Sequence, residues 1–163
     1  MKSRMVGRGD LSDIAGIRTD SPTADIEAHN MIFSFAASRK LRLRSGDISN
    51  AYFQGKELDR ILLLRPPKGG LPDPDYADGE TMILARVPIY GTKDARRYFW
   101  KHLREVLINL GFQENDTIRT LFSMRGKDGK LTAMLCTHVD GLLWAATPEA
   151  EPAIKKLLDD FAV

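Results

Sequence analysis

The sequence lacks the features of secreted and membrane-spanning proteins. Its 163 residues include one cysteine, Cys136, which excludes an internal disulfide and leaves no partners for a cysteine-based zinc site. No run of eighteen apolar residues is present. The first residues are rich in basic side chains and lack the apolar core of a secretory signal. We therefore expect a protein of the cytoplasm or the nucleus, neither secreted nor bound to a membrane.

A large excess of one charge is also missing. Lysine and arginine total 24 against 22 acidic residues, and the resulting net charge of +2 does not by itself indicate nucleic-acid binding. The basic residues nevertheless form two groups, one within residues 1–44 and one within residues 93–104. The simplest explanation of each group alone is a solvated helix face or a basic tail.

What is present fits one globular domain. The hydrophobic share is 43% and the charged share 28%, both typical of globular proteins. The length is sufficient for one compact core. We predict a single domain over residues 1–163, and no pattern in the sequence indicates an oligomeric state.

The first helix is predicted from Ser21 to Ser38. Ser21 has a side chain suited to capping, and Pro22 suits the first helical position. The residues predicted to be buried on this helix are Ile26, Ile32, Phe33, Phe35, Ala36 and Ala37.

Two further helices have clear apolar faces. One is capped by Thr92 or Asp94 and ends before Gly111, which suits the left-handed position after a helix. The other is opened by Pro148. The apolar faces consist of Phe99, Leu103, Val106 and Leu110 in the first helix and of Ile154, Leu157, Leu158 and Phe161 in the second.

Five segments have the composition of strands: residues 41–48, ending near Asp47, and residues 61–64, 82–87, 131–139 and 142–146. Residues 66–74 are rich in proline and glycine and are predicted to form a loop. Asp140-Gly141 lies between the last two strands and predicts a hairpin turn. The order of elements favours an α+β fold with an antiparallel sheet over a doubly wound parallel one.

Six short motifs resemble, in order and spacing, those of the copia-type retrotransposon reverse transcriptases. The family patterns include K-A-R-L-V-A-R-G, D-V-K-x-A-F-L-x-G, S-L-Y-G-L-K-Q-A-P-R-x-W and Y-V-D-D-x-L. The matching segments are KSRMVGRG at 2–9, SPTA at 21–24, DISNAYFQG at 47–55, PIYGTKDARRYFW at 88–100, LGF at 110–112 and THVDGLL at 137–143. Each motif alone is weak, but all six occur in the family's order and spacing, and the resemblance extends over nearly the whole chain.

The resemblance implies a reverse-transcriptase palm, with an antiparallel sheet and a catalytic hairpin flanked by helices, plus part of the fingers. It implies RNA-directed DNA synthesis, in which a primer 3′ hydroxyl attacks a deoxynucleoside triphosphate. Two divalent ions about 3.5–4 Å apart stabilise the attacking and leaving oxygens in such reactions. Carboxylates suit Mg²⁺ or Mn²⁺, and the matching positions are Asp47 and Asp140, with the backbone carbonyl of Ile48 as a further ligand. Taken alone, Asp47 would be a residue that ends a strand in a turn.

The resemblance also assigns a nucleotide site. Tyr52 matches the aromatic residue that lies under the incoming sugar, and Tyr90 and Gly91 match the place where the backbone approaches nucleotide and template. Lys2 and Arg4 match residues that contact the triphosphate, for which their charge is suited. Each assignment has an alternative. Tyr52 could be a buried core tyrosine, and Gly91 could be a plain turn glycine. Lys2 and Arg4 could belong to a frayed chain end.

Contacts to the template and primer are implied for a third set of residues. It consists of Lys93, Arg96, Arg97, Lys101 and His138. A solvated helix face and a packed neutral histidine explain the same residues without nucleic acid. The expected partners are an RNA or DNA template–primer, a deoxynucleoside triphosphate and the rest of a Pol polyprotein.

The sequence departs from the family pattern at important positions. Gly141 replaces the second aspartate of the hairpin motif, which keeps the turn geometry but removes one carboxylate from the ion site, and Arg96 replaces a proline. The thumb, connection and ribonuclease H parts are expected to be absent. Two hypotheses follow: a reverse-transcriptase domain that is impaired in this copy, or a non-catalytic remnant that binds nucleic acid or a partner. An unrelated α+β binding domain is the third, and it predicts that Asp47 and Asp140 lie far apart.

Overall fold

The computed structural model describes residues 6–12, 15–161 and 163. Its regular elements are the helices α1 (Ile26–Arg39), α2 (Ala95–Asn109) and α3 (Glu151–Asp160), and the strands β1 (Arg44–Asp47), β2 (Leu62–Leu64), β3 (Ile83–Ala85), β4 (Gln113–Glu114), β5 (Leu121–Arg125), β6 (Leu131–His138) and β7 (Gly141–Ala146). Short 3₁₀ turns cover Gly9–Leu11, Ala51–Gln54 and Pro74–Tyr76. The predicted mixture of helices with antiparallel sheet is confirmed.

The main sheet has five strands in the order β1-β7-β6-β5-β4, and every neighbouring pair is antiparallel. Because β1 pairs with β7, the strand that ends at Asp47 lies beside the last hairpin of the chain. No helix in the described part of the chain is long and apolar enough to cross a membrane.

Helices cover both faces of this sheet. Side chains alternate between the two faces of a strand, and on β6 the buried residues divide accordingly. Ala133 and Leu135 pack into a core with α2 and α3, whereas Met134 and Cys136 pack into a second core with α1. Both faces of β6 are therefore shielded from solvent, and its residues from Thr132 to Thr137 are all buried.

Both tryptophans are buried in these layers. Trp144 on β7 is 4% exposed and belongs to the α2–α3 core. Trp100 on α2 is 8% exposed, and the guanidinium of Arg119 stacks 4.6 Å from its ring centroid.

Strands β2 and β3 form a separate two-stranded sheet, and one of its faces is exposed. Leu63 and Leu84 are direct cross-strand partners on that face and are 54% and 52% exposed. Two-stranded sheets are marginal without packing on one face, and here the half-buried face carries Leu62, Leu64, Ile83 and Ala85.

The first helix begins later than predicted. Its cap is Asp25, whose carboxylate accepts a hydrogen bond from the Ala28 amide at 3.0 Å, so Ser21 and Pro22 precede the helix. As a result the buried face is Ala28, Ile32, Phe35 and Ala36. The predicted burial of Ile26, Phe33 and Ala37 is wrong, because these residues lie on the solvent side.

Other boundaries also shift. Asp94 occupies the cap position of α2 without capping it through its side chain, and Gly111 takes the predicted left-handed conformation with φ of +93°. Helix α3 starts at Glu151 rather than at Pro148. Strands β4 and β5 were not predicted: the first has two residues, and the second lacks regular alternation of polar and apolar side chains.

Candidate active site

Asp47 and Asp140 approach each other through the backbone. Asp47 is the last residue of β1 and is the cross-strand partner of Gly141, the first residue of β7. The amide of Ile48 donates a hydrogen bond to the carbonyl oxygen of Asp140 at 2.9 Å. Residues far apart in the chain therefore meet at one end of the sheet, which contradicts the hypothesis of an unrelated fold with distant aspartates.

The hairpin turn differs by one residue from the Asp-Gly turn that the sequence predicts. His138 and Gly141 are cross-strand partners, so Val139 and Asp140 form the two-residue loop and Gly141 belongs to β7. Val139 has φ of +57°, a left-handed conformation in which a β-branched side chain is strained. The strain is concentrated one residue before Asp140.

Gly141 lies directly beside the Asp47 carboxylate. A Cβ atom placed on Gly141 would lie 3.5 Å from Asp47 Oδ1 and 3.3 Å from the carbonyl oxygen of His138. The backbone of Gly141 has no positive φ, so a side chain fits there with a small adjustment. The family's second aspartate would thus add its carboxylate next to that of Asp47.

One acidic position of the family's motifs is a glycine in this chain. Across residues 6–12, 15–161 and 163, no group of three or more His, Cys, Asp or Glu side chains is placed to hold a metal ion. Asp47 is exposed, Asp140 is half-buried, and the third acidic position is Gly141. The described residues at this end of the sheet therefore do not form a complete set of metal ligands.

Aromatic rings lie next to this end of the sheet. The 3₁₀ turn after β1, entered through Asn50 with φ of +51°, places the half-buried Tyr52 against Tyr90, with ring centroids 4.6 Å apart. Tyr52 also contacts Phe99 of α2 edge-on at 6.3 Å. The structure thus brings together Tyr52 and Tyr90. Phe53, which the motif analysis did not single out, packs edge-on against Tyr90 at 5.6 Å.

The N-terminal segment crosses the Tyr90-Gly91 turn. The Gly7 amide donates a hydrogen bond to the Tyr90 carbonyl oxygen at 2.7 Å. Gly91 has φ of +92° and lies against the backbone of Gly7, while Gly9 lies against the backbone of Gly91. Lys2 and Arg4 lie outside the described residues, so their predicted contacts remain predictions.

The basic residues around α2 differ in their availability. Lys93 and Arg96 are exposed, and neither has an ion pair within the described ranges. Arg97 is held by Asp20 in an ion pair of 2.7 Å, and its side chain is 13% exposed. Lys101 lies 5.5 Å from the ring centroid of Tyr98. Lys93 and Arg96 are therefore better placed than Arg97 or Lys101 to meet a phosphate.

His138 is exposed and lines an open cavity of about 500 Å³ on the α1 side of the sheet. Asp47, Gly141, Cys136 and His29 line the same cavity. The Nδ1 atom of His29 lies 2.8 Å from the backbone carbonyl oxygen of Asp25, which fixes its ring. The cavity places His138 beside Asp47 and Gly141, and its predicted contact with a primer or template remains a prediction.

Polar contacts at the start of α2 were missed by the sequence analysis. Arg60 forms an ion pair of 2.7 Å with Asp94, whose side chain is 1% exposed, and this hydrogen bond raises the pKa of Arg60. Tyr98 donates a hydrogen bond to Asp59, which lowers the pKa of that carboxyl, while burial raises the pKa of Tyr98. This chain has Asp94 where the family pattern has glutamine, and that difference could have indicated the ion pair from the sequence.

Comparison with known proteins agrees with the resemblance that the sequence motifs indicate. The family model described as reverse transcriptase (RNA-dependent DNA polymerase) matches residues 1–160. The chain therefore belongs to the reverse transcriptase (RNA-dependent DNA polymerase) family.

Two relatives come from Arabidopsis thaliana. They are the retrovirus-related Pol polyproteins from transposons RE2 and RE1, each 28% identical over 145 residues and 87% of this chain. The chain spans 10% and 9% of their lengths, respectively. No solved structure matches. The predicted relation to copia-type retrotransposon reverse transcriptases is confirmed.

Proposed function

We propose that this chain is the fingers and palm domain of a copia-type RNA-directed DNA polymerase, and that this copy is impaired. The proposal depends on the pairing of β1 with β7. This pairing places Asp47 opposite Gly141, and the Ile48 amide donates a hydrogen bond to the Asp140 carbonyl oxygen. On this proposal residues 1–163 act as one domain of a longer Pol polyprotein. Its partners are a template–primer and a deoxynucleoside triphosphate.

Each group at the site has a role in this proposal. Asp47, Asp140 and the carbonyl of Ile48 would bind Mg²⁺ or Mn²⁺, which supply charge stabilisation to the transferred phosphoryl group. Tyr52, with Tyr90 beside it, would lie under the sugar of the incoming nucleotide and exclude a 2′ hydroxyl. Lys93, Arg96 and His138 would contact the template or primer, where cationic side chains bind phosphate.

The missing carboxylate explains the impairment. A divalent ion held by two carboxylates instead of three is bound more weakly and less accurately, and misplacement of reacting groups by about 1 Å costs on the order of a hundredfold in rate. A side chain at position 141 beside Asp47 requires only a small adjustment of its neighbours. The defect is therefore expected to be local and reversible by one substitution.

Primer extension on the native chain, on Gly141→Asp and on Gly141→Asn tests this. We expect Gly141→Asp to show Mg²⁺-dependent incorporation at least about a hundredfold above the native chain. Gly141→Asn is the matched control, because it has nearly the same shape without the charge. Incorporation by Gly141→Asn equal to that by Gly141→Asp would contradict the carboxylate explanation.

Thermal unfolding of the same variants separates folding from chemistry. Without ions, the new carboxylate beside Asp47 repels it, so Gly141→Asp should unfold at a lower temperature than Gly141→Asn. Addition of Mg²⁺ should remove that difference, since binding to the native state stabilises it. An absence of any ion-dependent shift in Gly141→Asp would show that the two positions do not share an ion.

A second candidate function is a non-catalytic fold that binds nucleic acid, and Gly141 is the observation that favours it. It predicts that the native chain binds a primer–template, with binding reduced by Lys93→Ala and Arg96→Ala and weakened by salt. If Gly141→Asp is folded, binds Mg²⁺ and still incorporates nothing, this candidate replaces the first.

A further inference from the structure

Three glycines meet where the N-terminal segment crosses the turn before α2. A Cβ atom on Gly9 would lie closer than 3.0 Å to the carbonyl oxygen of Gly91. A Cβ atom on Gly91 would lie equally close to the carbonyl oxygen of Gly7. Real Cβ atoms do not occur that close to backbone oxygens. The obstacle on each side is backbone, which cannot rotate away as a flexible side chain can.

The crossing is also bonded and packed. The Gly7 amide donates to the Tyr90 carbonyl oxygen at 2.7 Å, and a Cβ atom on Gly7 would lie 3.1 Å from Ile89 Cδ1. Gly9 is buried and Gly7 is half-buried, whereas the other described residues of this segment are exposed. Only residues without a side chain allow the two backbones to approach this closely.

The turn on the other side of the crossing carries the aromatic pair. Tyr90 precedes Gly91 and packs against Tyr52 in a tilted arrangement, with ring centroids 4.6 Å apart. The same turn leads into α2 through Thr92, whose hydroxyl donates to the Ile89 carbonyl oxygen at 2.9 Å. A displacement of the N-terminal segment would therefore change the support of Tyr90, and a displacement of Tyr90 would release the segment.

We infer that Gly7, Gly9 and Gly91 form a glycine crossing that fixes the turn carrying Tyr90, and with it the Tyr52–Tyr90 pair. In the proposed nucleotide site, the crossing would keep the two rings in position for the sugar of the incoming nucleotide. The inference rests on the proposed nucleotide site. Gly7 and Gly9 act as positioning residues, whereas Gly91 is also a predicted part of the nucleotide site itself.

Tryptic release of residues 1–8 measures the crossing without any ligand. The variants are Gly9→Ala and Gly91→Ala. Gly69→Ala is the control for Gly9, because a Cβ atom on Gly69 has nothing within 4 Å and its φ is not positive. Gly129→Ala is the control for Gly91, because it has φ of +77° and open space. Cleavage after Arg8 is followed by mass spectrometry and divided by cleavage after Arg104 within α2, which corrects for global unfolding.

We expect that ratio to rise about tenfold or more in Gly9→Ala and Gly91→Ala and to stay unchanged in both controls. The double variant should release the segment no faster than the more affected single variant, because both substitutions break one crossing. Additive effects, or an unchanged ratio, would overturn the crossing.

Equilibrium binding of a deoxynucleoside triphosphate, measured in the presence of Mn²⁺, tests the positioning. Gly9→Ala and Gly91→Ala should weaken binding about tenfold, which corresponds to about 1.4 kcal/mol, whereas the two controls should not. Segment release without loss of nucleotide affinity would show that the crossing does not serve the nucleotide site. If the native chain binds no nucleotide, the nucleotide site itself is refuted, and the cleavage ratio still shows whether the crossing exists.

Discussion

Val139 is the residue at which the candidate site stores strain. A β-branched residue with φ of +57° costs about 1–3 kcal/mol relative to a relaxed backbone. Val139→Gly removes the Cβ atom that causes the strain, although glycine has a larger entropy loss on folding, about 0.5–1 kcal/mol. We expect the free energy of unfolding in urea to rise by about 1 kcal/mol.

Val87 provides the comparison for this substitution. It does not have a positive φ, so Val87→Gly should lower the free energy of unfolding. Equal destabilisation by both substitutions would show that Val139 is not strained. A stabilised Val139→Gly with a poorer affinity for nucleotide would indicate that the strained turn serves the site.

At the scale of the element, the structure and the sequence pattern place the start of α1 at different residues. Asp25→Ala removes the hydrogen bond to the Ala28 amide and should cost about 1 kcal/mol in urea unfolding. Ser21→Ala should have almost no effect, because Ser21 precedes the helix. The reverse result would restore the helix start that the sequence pattern predicts.

Elements with a strong periodic signal were predictable, and short ones were not. Helix α2 was predicted from its apolar face and from Gly111, because both reflect local backbone preferences. Strand β4 has no such signal: it is ordered by its pairing with β5 rather than by its own sequence. The one-residue shift of the hairpin turn has a similar origin, since the pairing of His138 with Gly141 determines which residues form the loop.

The sequence motifs name the candidate site residues, but they do not give the strand register that brings these residues together. The motifs identify Asp47 and Asp140 as candidates, and the antiparallel pairing of β1 with β7 brings them together. That pairing depends on the packing of the whole sheet, which local sequence does not encode. The crossing of Gly7 and Gly9 over Gly91 likewise depends on a contact between distant segments.

At the scale of the whole molecule, the reactivity of Cys136 tests whether helix α1 and the main sheet stay packed together. It lies on β6 under α1, and burial raises its thiol pKa to about 11. At pH 8 only about one thiol in a thousand would be the reactive thiolate, even with full access. We expect a disulfide reagent to label Cys136 slowly in buffer and at the rate of a free thiol in concentrated urea.

The raised pKa of Cys136 also gives the pH dependence of folding stability a defined sign. The raised pKa means that the folded state holds the proton more tightly than the unfolded state. Stability is therefore constant below the pKa of a free thiol, about 8.5, and falls as pH rises from there towards about 11. Rapid labelling of the native chain at pH 8 would show that the Cys136 thiol is accessible in the folded state and not buried.

The burial of both tryptophans gives this chain an intrinsic optical probe. Trp144 lies within the sheet and Trp100 on a helix packed against it, so ultraviolet emission samples two layers at once. Water reaches both indoles only when the core opens, and the emission then moves to longer wavelength. The denaturation midpoints of variants without a change at a tryptophan can thus be compared without attaching a dye.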